Sequence, residues 1–446
     1  MNSIKQIPEV STFAFLKEAL SILNNPLPFH HKNFERHGDI FKLNIGFGKQ
    51  AIFSRNAELA EYVLQKNWKN YKKSTIQTED LAKYLGQGLL TSEDKFWKRQ
   101  RKLIQPAFHK KHLENLTGVI KETIISELSK IKANIQVDVL PLFSDLAFKV
   151  VVKSLFTNAA TESEIKILQE VTEENQLMLV KELRQPYLKW YFNSFGIINK
   201  HLKRSQESRE VLRTIIERRQ QSKIKYYDLL DMLLMARYED DTAMSMEQLI
   251  DEILVLFVAG HETTANSLSF TVQLLAQHPE WQKKIRVQYQ DVLSNENADS
   301  MTAIMQSQLA KQVIDESLRL YPPAYFIDRV NIEDDAFNGY RFKKGSNFLF
   351  SILEIHKHHK LWESPEDFNP DRFSPEKGKA YSSHYFPFGA GPRKCIGNNF
   401  AMFEMIIAVS EILTRFSIKS VKSSIEINPL ITLKPKNAIV EFALNS

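Results

Sequence analysis

Apolar residues recur at helical spacing over two long stretches of the 446-residue chain. The first follows Ser245, whose spacing to Gln248 fits a capping box, and runs to Gln277, where His278-Pro279 stops it. At 1.5 Å per residue it predicts a helix about 48 Å long. The second runs from Ile396 to Phe416. Shorter helices are predicted after Thr91, stopped by Pro106, and over Leu309 to Leu320, ended by Tyr321-Pro322-Pro323. Residues 112 to 235 read as a succession of helical patterns. Alternation of apolar and polar positions is rarer. It predicts a hairpin over Ile40 to Phe53, a strand over Gly339 to Gly345, and a closing hairpin from Phe416 to Val421 and Ile431 to Phe442, broken at Pro435-Lys-Asn437. Tyr71 to Leu90 has weak periodicity and reads as a long loop. Leu177 to Phe195, dense in aromatic and aliphatic residues, reads as core. The predicted fold class is mainly α with small β-sheets (α+β).

Composition adds organisation and excludes some functions. No Pro/Gly/Ser-rich linker or repeat divides the chain, so one domain over 1-446 is expected, with 1-25 as a lead-in and no fused reductase. The net charge of +6 is modest. The basic runs Lys203 to Glu210 and Glu217 to Arg219 read as solvated faces, and nucleic-acid binding is not indicated. No stretch approaches 18 uninterrupted apolar residues and Met1 to Val10 carries no signal pattern. A soluble, cytoplasmic monomer without a membrane span is expected.

The chemistry gathers at the sole cysteine, Cys395, which cannot form an internal disulfide. It precedes the second apolar helix, where unpaired amides and the macrodipole favour negative charge. A free thiol has a pKa near 8.5, so ionisation at pH 7 needs more than about 2 kcal/mol. The dipole supplies roughly 0.3 to 1 kcal/mol, and the remainder points to a bound cation. One thiolate cannot close a zinc or iron-sulfur site, whereas haem iron takes one proximal protein ligand. A buried, inert cysteine is the plain alternative.

The spacing Phe388-x-x-Gly391-x-Arg393-x-Cys395-x-Gly397 resembles the haem-binding signature of the cytochrome P-450 haem-thiolate monooxygenases at every fixed position. Three further segments resemble that family, in its order. Ala259-Gly260-His261-Glu262-Thr263-Thr264, in mid-helix, is similar to the family's acid-alcohol pair. Leu309 to Leu320 carries Glu316-x-x-Arg319, with Arg372 following in Phe368-Asn-Pro370-Asp-Arg372-Phe373. Trp97-x-x-x-Arg101 is similar to the haem-contacting helix. Gly260 and two consecutive threonines weaken the helix and suggest a local widening of its hydrogen-bond ladder.

The resemblance implies a haem b held between the long helix and the cysteine loop. Cys395 would be the iron's axial ligand. Trp97, Arg101, Arg329 and Arg393 would bind the propionates, and Phe388 would pack beside the sulfur. Gly391 and Gly397 would admit close backbone approach. Glu262 would relay protons and Thr263 would hydrogen-bond dioxygen, the co-substrate. Glu316, Arg319 and Arg372 would form a buried structural triad. Leu256, Val258, Ala259, Tyr325, Phe326 and Ile327 would line the substrate pocket. Electrons, ultimately from NAD(P)H, would arrive through a ferredoxin or flavodoxin with its reductase, attracted by Lys98, Arg99, Lys102 and Lys394. The lack of an apolar N-terminal anchor is similar to bacterial members. The implied reaction is hydroxylation or oxidative demethylation of a small organic molecule: a fatty acid, a terpenoid or carotenoid-like chain, or a methyl ether such as a methylated sugar. The rivals are a peroxide-dependent peroxygenase, an oxygen-independent haem-thiolate isomerase and a haem-binding sensor or carrier. His356-Lys-His358-His359 reads as a solvated loop with His356 packed near the haem edge.

Overall fold

The computed structural model describes residues 5–46, 49–222, 224–294 and 299–445. They group into two compact units, each built from three stretches of chain. The first comprises Met1–Ser74, Gln312–Cys395 and Ile425–Lys436; the second comprises Thr75–Lys311, Ile396–Ser424 and Asn437–Ser446.

The first unit is built on a six-stranded sheet, ordered Glu9–Val10, Ile40–Gly46, Lys49–Ser54, Asn347–Ser351, Phe326–Asn331, Tyr71–Lys72. Ile40–Gly46 and Lys49–Ser54 form the predicted antiparallel hairpin, Phe41 opposite Phe53; its turn lies outside the described residues. Alternation decides which face each side chain joins. Phe41 and Phe53 stack with rings 5.2 Å apart and almost parallel, while Ile40 and Ile52 enter the opposite cluster with Leu59, Val63, Leu64, Phe348 and Phe350. The helix Gln308–Leu320 ends just before Tyr321-Pro322-Pro323, as its sequence predicts. The second predicted C-terminal run is divided. Glu426–Pro429 pairs with Leu433–Lys436 in this unit.

The second unit is helical around Met246–Gln277, an uninterrupted helix of 32 residues capped by the Ser245 side chain on the Gln248 amide. Gln248 does not complete the box, because its amide reaches the carbonyl of Gln87 and the carboxylate of Glu252. The long helix packs against Val139–Phe156, with Phe148 stacked on Phe257 at 5.6 Å. Gly260 allows this closeness, since a β-carbon there would stand 3.0 Å from Val151 Cγ2. Packing, and no widened ladder, accounts for glycine at that point of a continuous helix. Asn398–Arg415 forms the helix after the cysteine, and Phe416–Ser420 pairs antiparallel with Ile439–Leu444.

Three expectations are corrected. Residues 71 to 90 are not one long loop: Ile76–Leu81 is a π-helix and Ala82–Leu85 an α-helix. The segment is short and its local signal weak, but Ala82, Tyr84 and Leu85 are buried and the Tyr84 hydroxyl is fixed on buried Glu182. Leu177 to Phe195 is not all core, because Leu177, Tyr187, Trp190 and Phe195 are exposed. Composition cannot say which side of a short helix is covered. Nor is the run ending at Arg219 wholly solvated. Arg219 is buried, donating to Asp228, Asp231 and the Phe156 carbonyl, and a buried guanidinium survives only with such partners.

Candidate active site

In the first unit, backbone hydrogen bonds shape the cysteine loop. The Cys395 amide donates to the Phe388 carbonyl at 2.9 Å, Lys394 N to Gly391 O at 3.0 Å, and Gly389 N to Phe386 O at 3.0 Å. The loop begins on His356, the one side chain that the sequence reading packs inside an otherwise solvated stretch. His356 is fully buried against Trp362 and Tyr385, and its Nε2 accepts the Phe386 amide at 2.9 Å. Burial pushes its pKa down to about 3, which keeps the ring neutral and able to accept.

Gly391 fixes the other side of the loop. At φ +68° it takes the left-handed conformation, and a β-carbon would stand 2.0 Å from the Leu64 carbonyl oxygen. Leu64 lies in the π-helix Tyr62–Lys66, anchored by Asp335, which accepts from Tyr62 at 3.0 Å, Tyr71 at 2.6 Å and Asn67 at 3.0 Å. Gly397 differs. Its φ is −86° and no protein atom lies within 4 Å of an added β-carbon. Cys395 is exposed and lies two residues before Gly397, the N-cap of the following helix.

The same unit holds Arg329, buried and donating to the Asp328 carbonyl at 2.7 Å, together with half-buried Arg393 and Phe388. Tyr325 is buried with its hydroxyl on the Leu430 carbonyl, Phe326 lies edge-on to Phe53 and His30, and Ile327 packs against the Leu64 cluster. Glu316, Arg319 and Arg372 come together in this unit. Arg319 grips both Glu316 oxygens at 2.7 Å and also donates to the carbonyls of His356, Pro365 and Asp367. Arg372 Nε lies 3.4 Å from Glu316, which also accepts the Asn369 amide at 2.8 Å.

In the second unit, the long helix is covered over most of its length but open near its middle. Ala259 is exposed and Leu256, Gly260 and Thr263 are half-buried, positions that share one face by helical spacing. Thr263 Oγ1 donates to the Ala259 carbonyl at 2.8 Å. Glu262 beside it is buried. On the helix Asp94–Ile104, Trp97 is buried and Arg101 Nε donates to Gln105 at 3.1 Å. Of the basic residues expected to attract a partner on this helix, Arg99 is paired with Asp240 at 2.8 Å and stacked on Tyr238, and Lys102 is paired with Glu239.

Sequence reasoning missed a set of carboxylates that position the segment before this helix. Asp251 accepts the Gln87 amide at 2.7 Å and Arg209 at 2.6 Å, and Glu252 accepts the Leu89 amide at 2.9 Å. The available signal was two adjacent acids inside an otherwise apolar helical run, which burial would forbid without partners.

The cytochrome P450 family model matches residues 8–442. Among curated proteins, the chain is 30% identical to an 11-oxo-beta-amyrin 30-oxidase of Medicago truncatula over 80% of this chain and 72% of that one. It is 29% identical to a cytokinin hydroxylase of Arabidopsis thaliana over 86% and 76%. A third relative, 26% identical over 94% and 83%, is a Glycine max protein named Cytochrome P450 97B2, chloroplastic. Among solved structures, a cytochrome P450DA heme domain superposes with a TM-score of 0.87 at 20% identity, covering 100% of this chain and 98% of that one. The mainly α fold with small sheets agrees with that domain. The plant relatives overturn the bacterial-type placement, and with it the cytoplasmic one. Among the described residues no helix is long and apolar enough to cross a membrane.

Proposed function

The chain belongs to the cytochrome P450 family, and from that premise we propose that it hydroxylates or oxidatively demethylates a small apolar organic substrate, drawing electrons from a separate redox partner. Monooxygenation with haem, dioxygen and reducing equivalents follows from the family. Each unit, taken by itself, carries residues whose chemistry suits a haem. The first offers one exposed thiol at the approach to a helix, with Arg329 and Arg393 as candidate propionate partners. The second opens a covered helix on the face of Leu256, Ala259, Gly260 and Thr263, with Trp97 and Arg101 as further propionate partners.

When bound, the group supplies the oxygen chemistry, with a thiolate ligand donating electron density. The chain does the rest. Cys395, placed by the Phe388 carbonyl and by the fit of Gly391 under Leu64, would hold the haem iron through its sulfur. Glu262 holds and passes protons, and Thr263 turns its hydroxyl from the Ala259 carbonyl toward dioxygen. Leu256, Val258 and Ala259 in the second unit would exclude water and orient an apolar substrate, and Tyr325 to Ile327 in the first unit are the further apolar candidates. Lys98, Arg99, Lys102 and Lys394 are the basic residues proposed to attract an acidic ferredoxin or flavodoxin, and Arg99 and Lys102 also pair with Asp240 and Glu239.

The observation that carries this reading is the uncovered face at Thr263 within a helix buried along nearly all its length. The test is turnover by haem-loaded protein with dioxygen and reductant, compared with hydrogen peroxide, in the wild type and in Cys395→Ser. Oxygen-dependent product lost in the variant, together with the carbon monoxide difference band of a thiolate-ligated haem, supports the reading. Turnover with peroxide alone would replace it by the peroxygenase.

A further inference from the structure

Within the second unit a small cavity is lined by Leu81, Tyr84, Leu85, Leu179, Leu254 and Val258, with Asn175 among them. The lining mixes apolar side chains with the polar Tyr84, Thr172, Asn175, Gln176 and Ser208, and its buried polar side chains are satisfied with one exception. Thr172 Oγ1 donates to the Leu168 carbonyl, Ser208 Oγ to the Ser205 carbonyl, and the Tyr84 hydroxyl to Glu182. Asn175 is only 7% exposed; its Nδ2 donates to Ser205 Oγ at 2.8 Å, and its Oδ1 has no partner. A buried amide oxygen left without a donor is costly and uncommon, and each such group in a native interior asks what it is meant to meet. The space has room for about one hydroxyl-sized group. Helix Glu162–Arg184 supplies Asn175, and Ser205, from helix Ile197–Gln221, sets the amide's orientation, so the acceptor is held in place before any ligand arrives.

We propose that Asn175 is a specificity residue: its Oδ1 accepts a hydrogen bond from a hydroxyl at the end of the substrate remote from the reacting carbon, in a space with room for little more than that hydroxyl. The preferred substrate class is therefore a monohydroxylated apolar molecule, a long-chain or terpenoid alcohol, over the matching ether or hydrocarbon. This rests on the monooxygenase reading, in which Val258 borders the substrate. A site built to pair a hydroxyl rejects the analogue that lacks it, because the acceptor is then left buried and unpaired.

The test uses haem-loaded protein that already gives the carbon monoxide band, so failure of the underlying reading shows itself first, as absence of that band. Two probes, 1-dodecanol and dodecyl methyl ether, are titrated against the Soret band. The wild type is expected to bind the alcohol about tenfold more tightly, the worth of one net hydrogen bond. Asn175→Leu is expected to bring the two dissociation constants together while still binding the ether. Equal affinities in the wild type, an undiminished preference in Asn175→Leu, or no shift with either probe would overturn the assignment, leaving Oδ1 to a buried water. The wild-type comparison stands alone if the leucine variant does not fold, and Asn175→Ala repeats the second arm with a smaller side chain.

Discussion

Gly391→Ala measures how the cysteine loop is held. The added carbon would stand 2.0 Å from the Leu64 carbonyl oxygen, 2.9 Å from its carbonyl carbon and 3.1 Å from Gln65 Cα. Such contacts do not occur below 3.0 Å, so loop and π-helix must part by at least about 1 Å, the difference 3.0 − 2.0. Leu64 gives way reluctantly, because it is buried and its helix is tied down through Asp335 to Tyr62, Tyr71 and Asn67. An L-residue at φ +68° adds about 1 to 2 kcal/mol of backbone strain, and overpacking typically adds about 1 to 3 kcal/mol. A loss of roughly 2 to 5 kcal/mol follows, a large share of the stability of a native protein. The assays are denaturant unfolding, haem content and the carbon monoxide difference spectrum of Gly391→Ala beside Gly397→Ala. The first variant should lose stability and haem, while the second, at negative φ in open space, should stay within about 0.5 kcal/mol of wild type in haem-free unfolding. A Gly391→Ala protein with unchanged unfolding and a full thiolate spectrum would refute the argument.

Arg319→Ala should cost about 3 to 5 kcal/mol, since it leaves the fully buried Glu316 carboxylate without its bidentate partner; urea midpoints check this, and a loss below about 1 kcal/mol would make the triad an ordinary ion pair. Thr263→Ala removes only a hydroxyl bonded to its own helix, so the melting temperature should hold while electrons divert to hydrogen peroxide, measured as peroxide released per NAD(P)H consumed; unchanged coupling removes Thr263 from the mechanism. Glu404 is fully buried with neither carboxylate oxygen paired, and burial raises its pKa well above the usual carboxylate value. The folded state then keeps a proton that the unfolded chain loses above about pH 4.5, so its stabilising effect is complete at low pH and fades as pH rises, by about 1.4 kcal/mol per unit until the folded pKa is reached. His30 and His356, held neutral by burial with pKa values of about 3, act oppositely and only below about pH 6.5. Comparing wild type with Glu404→Gln cancels the histidine contribution, and above about pH 4.5 the wild type should lose stability faster with rising pH than the variant does; equal slopes in both proteins would contradict it.

The linear order of residues determined the family motifs and the long elements. Cys395 with its flanking glycines and arginine, Glu262-Thr263 and Glu316-x-x-Arg319 are each local in sequence, and the long helices declare themselves because 3.6-residue periodicity is a property of consecutive positions. Only the tertiary structure decided what each feature is for. It turned Gly260 from a flaw in a helix into the seat of Val151, and separated Gly391, which cannot bear a β-carbon, from Gly397, which meets nothing. It also made His356 a buried acceptor for the cysteine loop, folded residues 76 to 85 into helices, and turned Trp190 and Phe195 outward. These outcomes depend on which atoms from distant stretches share a space. Leu64 and Gly391, or Asn175 and Ser205, meet only once the chain is folded. The cost of an unpaired polar atom or a clashing carbon is set by that meeting, and no window along the sequence contains both sides of it.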